Sequence, residues 1–280
     1  MKIYKTIADM RATSRAARHS GKHLGFVPTM GALHEGHLSL VRAAKAKCDV
    51  VAVSIFVNPL QFGPSEDLAK YPRTFEHDRE LLEKEAVDIL FVPTPEEMYP
   101  AGAVTYVTVE GLSEKLCGKS RPGHLRGVTT VVAKLFHIVE PDLAFFGQKD
   151  AAQATIIRRM VQDLNLPVGI VVCPIVRERD GLAMSSRNAY LNPQERKSAL
   201  ALNRALSEVK SRFDQGERNA EHLITVGKKM LLREPAVRLD YLEIVDTSTL
   251  DRIEELSSSA LVAVAAFVGN TRLIDNILLP

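Results

Sequence analysis

LGFVPTMGALHEGHLSLVRAAKAKCDVVAVSIFV, residues 24–57, is the stretch that decides the fold. It holds an apolar run at 24–28, a glycine-containing connection, an amphipathic segment at 36–47, and a continuous apolar run at 50–57. Leu38, Val41 and Ala44 in the middle segment fall on one face of a helix. The unbroken valine-rich run after it reads as a strand buried on both faces, the signature of a parallel sheet. Strand, helix and strand in this order make one βαβ unit.

The same alternation continues outward. Helices are expected at 74–85, 128–139 and 151–164, the second stopped by Glu140-Pro141. Strands are expected at 88–92, 104–109, 143–146 and 168–172. The fold class is therefore α/β, a parallel sheet with helices on both faces, and ligands should gather at the carboxyl ends of its strands. After Pro174 the pattern changes to two helices (193–213 and 220–232) followed by three strands (239–245, 260–268 and 271–278). Helices followed by strands indicate a smaller C-terminal α+β domain. The boundary falls near residue 175, giving domains 1–175 and 176–280.

Composition narrows the partners. Hydrophobic residues are 46% and charged residues 25% of 280, a globular mixture, and the net charge of +2 argues against a nucleic-acid-binding face. Cys48, Cys117 and Cys173 are widely spaced and form no CxxC pair, so neither a disulfide framework nor a cysteine-rich zinc site is expected. Residues 1–18 mix charged and apolar positions without the apolar core of a signal peptide. The longest apolar run, 260–268, is far short of the roughly 20 residues a membrane span needs. A soluble, cytoplasmic protein is the expectation.

Three segments carry chemistry. In Thr29-Met30-Gly31-Ala32-Leu33-His34-Glu35-Gly36-His37, a strand ends and a helix begins. His34 and His37 stand one helical turn apart, beside N–H groups that attract anions. Such a cluster suits attack on a phosphate, where negative charge grows on the equatorial oxygens. Two histidines at this spacing also occur as surface residues or as half of a metal site. Walker A and GxGxxG patterns are absent. The second segment, Met184-Ser185-Ser186-Arg187, puts two hydroxyls and a guanidinium in a polar loop; alone it would read as a helix cap. Together the two look like a pair of phosphate-binding loops. The third, Phe146-Gly147-Gln148-Lys149-Asp150-Ala151-Ala152-Gln153, crosses from strand to helix. It offers a cation at Lys149, a helix cap or ribose acceptor at Asp150, and an amide at Gln153.

His34-Glu35-Gly36-His37 resembles the HxGH signature of the nucleotidylyltransferase superfamily, and Met184–Arg187 resembles its KMSKS-type loop. Further ordered matches extend the likeness over essentially the whole chain. They include Val57-Asn58-Pro59-Leu60-Gln61-Phe62, Tyr71-Pro72-Arg73, Arg121-Pro122-Gly123-His124 and Gly127-Val128. These are similar to the pantothenate synthetase (pantoate–β-alanine ligase) family. The resemblance implies a Rossmann-like first domain, a smaller C-terminal lid carrying the KMSKS-like loop, a homodimer, and Mg²⁺ on the phosphates of ATP. It implies ligation of (R)-pantoate to β-alanine through pantoyl adenylate, with release of pyrophosphate and AMP. By position, ATP would be held by Met30, Gly31, Ala32, Leu33, His34, Glu35, Gly36 and His37, and by Gly147, Gln148, Lys149 and Asp150. Val176, Met184, Ser185, Ser186 and Arg187 would complete that site. His37, with His34, Lys149, Ser186 and Arg187, would carry catalysis, while Gln61 and Gln153 would hold pantoate and Gln61 would also lie near β-alanine. No metal ligand is assigned, Asp78 being only a candidate contact. Leu125 and Ala152 stand where the family often has Phe and Gln, which bears on pocket shape alone.

Two other readings compete. Another nucleotidylyltransferase would release a dinucleotide-like product instead of AMP. A non-catalytic nucleotide-binding module would consume no ATP. An aminoacyl-tRNA synthetase is disfavoured, because no anticodon-binding region or basic surface is evident.

Overall fold

Side chains along the central strands alternate between two cores, as the period of two in a strand requires. The structure, a computed structural model, describes residues 1–64 and 66–280. Its first part runs β1 (Lys2–Tyr4), α1 (Ile7–His19), β2 (Leu24–Thr29), α2 (Glu35–Lys45) and β3 (Val50–Ile55). It continues through α3 (Phe75–Lys84), β4 (Ile89–Phe91), α4 (Pro95–Met98), α5 (Cys117–Ser120) and α6 (His124–Val139). β5 (Leu143–Gly147), α7 (Ala151–Asp163) and β6 (Gly169–Cys173) complete it. The six strands form one sheet, all parallel, in the order β1-β4-β3-β2-β5-β6. Phe26, Ala52, Phe91 and Phe146 pack against Met10 of α1, Leu135 of α6 and Ile156 of α7. Val27, Val53, Leu90 and Phe145 point the other way, onto Leu38 and Val41 of α2 and Leu82 of α3. Helices thus cover both faces, as the apolar runs required. Burying each large side chain contributes about 1.5–3 kcal/mol relative to exposure.

The strand order reverses between β2 and β5. From β2 the sheet grows through β3 and β4, and from β5 it grows to β6 on the other side. Loops leaving β2 and β5 at their carboxyl ends must part there and leave a crevice. Residues 30–34, leading into α2, and 148–150, leading into α7, are those loops.

The second part contains α8 (Pro193–Asp214), α9 (Ala220–Leu231), β7 (Val237–Asp246), β8 (Ala260–Val268) and β9 (Thr271–Leu279). Its strands form an antiparallel sheet, β7-β8-β9. α8 starts on a capping box in which Asn192 accepts from the backbone of Gln194 and Glu195. α8 and α9 pack on one side of this sheet. Val245, Leu261 and Ala263 face the first core instead.

Three expectations need correction. Residues 104–109 form no strand and join no sheet among the described residues. Helix α6 takes their backbone groups: Val107 N–H donates to Thr130 Oγ1 (3.0 Å) and Thr129 Oγ1 donates to the Val107 carbonyl (2.6 Å). α6 itself begins at His124, four residues early, because Gly123 adopts a left-handed φ of +82° that turns the chain into it. β1 and α1 lie in the charge-rich opening segment, where no element was expected. Among the described residues no helix is long and apolar enough to cross a membrane.

Candidate active site

The loop after β2 is held in an unusual shape. Gly31 (φ +82°) and Ala32 (φ +49°) both lie in the left-handed region. Asp78 of α3, only 1% exposed, fixes them. Its Oδ2 accepts from the Ala32 N–H (2.8 Å), and its Oδ1 accepts from the Leu33 N–H (2.8 Å) and the Thr74 hydroxyl (3.0 Å). A Cβ on Gly31 would sit 2.9 Å from that Oδ2, so glycine is what lets the carboxylate approach.

α2 then starts on its own histidines. His34 Nδ1 accepts from the Gly36 N–H (3.1 Å), and His37 Nδ1 accepts from the His34 N–H (3.3 Å). Each ring therefore accepts at Nδ1 and carries its proton on Nε2. Burial, reinforced at both rings by Lys149, lowers the pKa of His34 to about 4; burial, His34 and then Lys149 lower that of His37 to about 3. Both are neutral at pH 7. The free N–H groups expected at this helix start are thus largely occupied within the loop. What it offers an anion is two Nε2–H donors beside the Lys149 ammonium.

Lys149, Asp150 and Gln153 line the same cleft from the β5 side. Asp150 occupies the N-cap position of α7 without a side-chain capping bond, contrary to the cap reading of this residue. The 176–187 loop closes the cleft from above. Ser186 Oγ donates to the Ala32 carbonyl (2.9 Å) across a separation of 154 residues. The Met184 N–H bonds the Val176 carbonyl (3.0 Å), and Ser185 Oγ accepts from the Arg187 N–H (3.3 Å). Arg187 makes a two-pronged ion pair with Asp67 (3.0 and 2.9 Å) and lies 5.8 Å from the Tyr71 ring centre, which holds it at the wall.

Gln61 sits on a turn begun by buried Asn58. Asn58 Nδ2 donates to Gln61 Oε1 (3.1 Å) and to the Gly127 carbonyl (3.0 Å), while Gln61 Nε2 donates to Met30 Sδ (3.0 Å). The Gln61 carbonyl accepts from Arg121 Nη2 (3.2 Å) and from His124 Nδ1 (2.8 Å). His124 Nε2 accepts from Arg121 Nη1 (2.9 Å), which leaves the His124 proton on Nδ1. Burial, then Arg121, lowers its pKa to about 4.

Of the residues singled out in the sequence, Met30, His34, Gly36, His37, Gly147 and Lys149 meet in the cleft with Asp150, Gln61 and Gln153. Val176 and Met184 to Arg187 join them from the second part of the chain. Gly31, Ala32, Leu33 and Gln148 shape it from behind, and Leu33 is a core residue. Glu35 is exposed and paired with Arg42, pointing away from the cleft. Ala152 lines the cleft, whereas Leu125 is buried in the core. Asn58, Tyr71, Arg121 and His124 also line it, with no role for them legible in the sequence. They lay inside quoted segments, but nothing in those segments says that the side chains converge. Among the described residues no group of three or more His, Cys, Asp or Glu side chains could hold a metal. Asp78 does not fit a Mg²⁺ contact, because both its oxygens are occupied and buried. A metal carried by phosphate oxygens fits: of the two carboxylates lining the cleft, Asp275 is paired with Arg177, which leaves Asp150 to face it.

A parallel sheet with a neutral histidine pair and a lysine at its switch point, closed by a serine–arginine loop, defines a class: a Rossmann-like enzyme that activates a substrate with a nucleotide. A family model described as Pantoate-beta-alanine ligase matches residues 2–278. The pantothenate synthetase of Koribacter versatilis is 59% identical over 279 residues, covering 100% of this chain and 96% of that protein. That of Thermotoga petrophila is 58% identical and covers 100% of both. Among solved structures, pantothenate synthetase from Thermus thermophilus superimposes with a TM-score of 0.94 at 46% identity, covering 99% of each chain. Pantoate-beta-alanine ligase from Francisella tularensis, complexed with beta-gamma ATP and beta-alanine, gives 0.80 at 34% identity, covering 99% of this chain and 97% of that one. The chain belongs to the pantoate–β-alanine ligase family, the pantothenate synthetases.

Proposed function

We propose that the cleft activates pantoate as its adenylate and then passes the acyl group to β-alanine. The enzyme joins the two acids, converting ATP to AMP and pyrophosphate. A carboxylate resists attack by an amine because it would have to expel an oxide. In the first step a pantoate carboxylate oxygen bonds to the α-phosphorus, and pyrophosphate leaves. In the second the β-alanine nitrogen bonds to the acyl carbon, AMP leaves, and the nitrogen loses a proton.

Each residue has a part. Gln61 and Gln153 orient pantoate as neutral amides, so the attacking carboxylate is not immobilised by a cation, and Gln61 lies near β-alanine. His34 and His37 donate Nε2–H to phosphate oxygens, and Lys149 adds a charge where negative charge grows. One such preorganised donor is worth on the order of 10²–10³ in rate. Ser186 and Arg187 bring the second loop over the nucleotide. Mg²⁺, held by the phosphates and Asp150, would neutralise part of their charge. The observation that carries this reading is the Ser186–Ala32 hydrogen bond, which puts two phosphate-type segments on one cleft.

We also place the domain boundary near residue 175, between β6 and the closing loop, and read the protein as a cytoplasmic homodimer. Labelled pyrophosphate should exchange into ATP when pantoate and Mg²⁺ are present and β-alanine is absent. Formation of ADP, or exchange that requires β-alanine, would sink the adenylate route. Exchange with an unrelated acid but not pantoate would overturn the substrate alone.

A further inference from the structure

Two successive residues of β9 reach the two ATP-facing segments at once. Asn276, 3% exposed, has its amide fully used. Its Nδ2 donates to the carbonyls of Gln148 (2.9 Å) and Lys149 (2.9 Å), and its Oδ1 accepts from Gln148 Nε2 (3.0 Å). Asp275 takes both prongs of Arg177 (2.7 and 2.9 Å), and Arg177 Nη1 also donates to the Gly181 carbonyl (3.1 Å). Arg177 opens the loop that carries Ser186. Consecutive side chains of a strand leave on opposite faces. One strand can therefore hold the Lys149 loop with one residue and the base of the closing loop with the next.

We propose that Asn276 is a positioning residue for the activation step: it fixes the backbone at 148–149 so that the Lys149 ammonium meets the phosphate chain. The proposal rests on the reading of Lys149 given above. The 148–150 segment is a single 3₁₀ turn, too short to set its own geometry. Two carbonyls aimed at one amide leave little freedom for rotation. Removing that amide would take from both half-buried carbonyls the side-chain partner that fixes their direction, and the turn would shift. The lysine would move with it. Asn276 supplies no charge and no proton, so its effect must pass through Lys149.

That dependence is testable on the full chain with a double-mutant cycle. Pantoate-dependent pyrophosphate exchange is measured for Asn276→Ala, Lys149→Ala and the double variant, with kcat and the KM for ATP determined separately. Asn276→Ala is expected to lower kcat about tenfold or more while the KM for ATP moves less than about threefold, because orientation in the transition state is what is lost. In the Lys149→Ala background the same change should lower kcat by less than about twofold. Gln148→Ala removes only one of the three bonds and serves if Asn276→Ala does not fold. Its loss should be smaller and should likewise vanish without Lys149. Equal losses in both backgrounds, or normal kcat in folded Asn276→Ala, overturn the proposal. Normal turnover in Lys149→Ala alone overturns the reading of Lys149 and the inference with it.

Discussion

At the scale of single residues, His37 shows how a local hydrogen bond selects a chemical role. With Nδ1 accepting from the His34 backbone, the ring can present only Nε2–H to the cleft. His37→Ala should lower pyrophosphate exchange by about 10², the worth of one donor to developing charge. Its melting temperature should stay close to that of the parent, which a thermal melt would check. Near-normal exchange would show that the histidine is not part of the chemistry. The pH profile carries a separate expectation. Burial places the pKa values of His34 and His37 at about 4 and 3, so both rings stay neutral as pH falls from 8 to 6. They are protonated, and lose the Nδ1 acceptor, only as pH falls towards those values. The parent rate should therefore show no step near the ordinary histidine value of about 6.5 that disappears on replacing His34 or His37. The residue types and their spacing were legible in the sequence. The tautomer was not, because it depends on which backbone N–H lies beside each ring.

At the scale of elements, α6 organises the Asn58–Gln61 turn as well as the core. A Cβ on Gly127 would collide with the Leu60 carbonyl and come within 2.7 Å of Gln61 Cα. These are backbone atoms and cannot step aside. Gly127→Ala should cost about 1–3 kcal/mol of stability, the usual range for overpacking. It should also raise the KM for pantoate more than that for ATP, since the displaced turn carries Gln61. Thermal melts and initial rates with each substrate varied decide it; equal KM values to the parent would remove Gln61 from the pantoate site. The same helix explains the misread segment at 104–109. Its β-branched alternation is a fair strand signal, but Thr129 and Thr130 satisfy the Val107 backbone without a neighbouring strand. Hydroxyls on a distant helix leave no mark on local periodicity.

At the scale of the molecule, the irregular segment that α6 holds down presents Val104, 81% exposed, and Tyr106 to the surface. Such residues are suited to burial against a second copy. Sedimentation should give a dimer for the parent chain and a monomer for the Val104→Lys, Tyr106→Lys pair; a parent monomer would overturn the homodimer. The α/β class, the limits of most strands and helices to within a few residues, and the loops that carry His34, His37, Lys149 and Ser186 were all readable from the chain alone. They were readable because apolar period and turn chemistry act between near neighbours along the chain. Other features took shape only with the packed molecule: Asp78 braces the Gly31–Ala32 turn instead of meeting a metal, Arg187 rests on Asp67, and Asn276 holds the Lys149 loop. Each of these is a bond between residues far apart in the chain. Its strength depends on burial and direction, which appear only when the β2–β5 crevice has formed and the second sheet has packed against it.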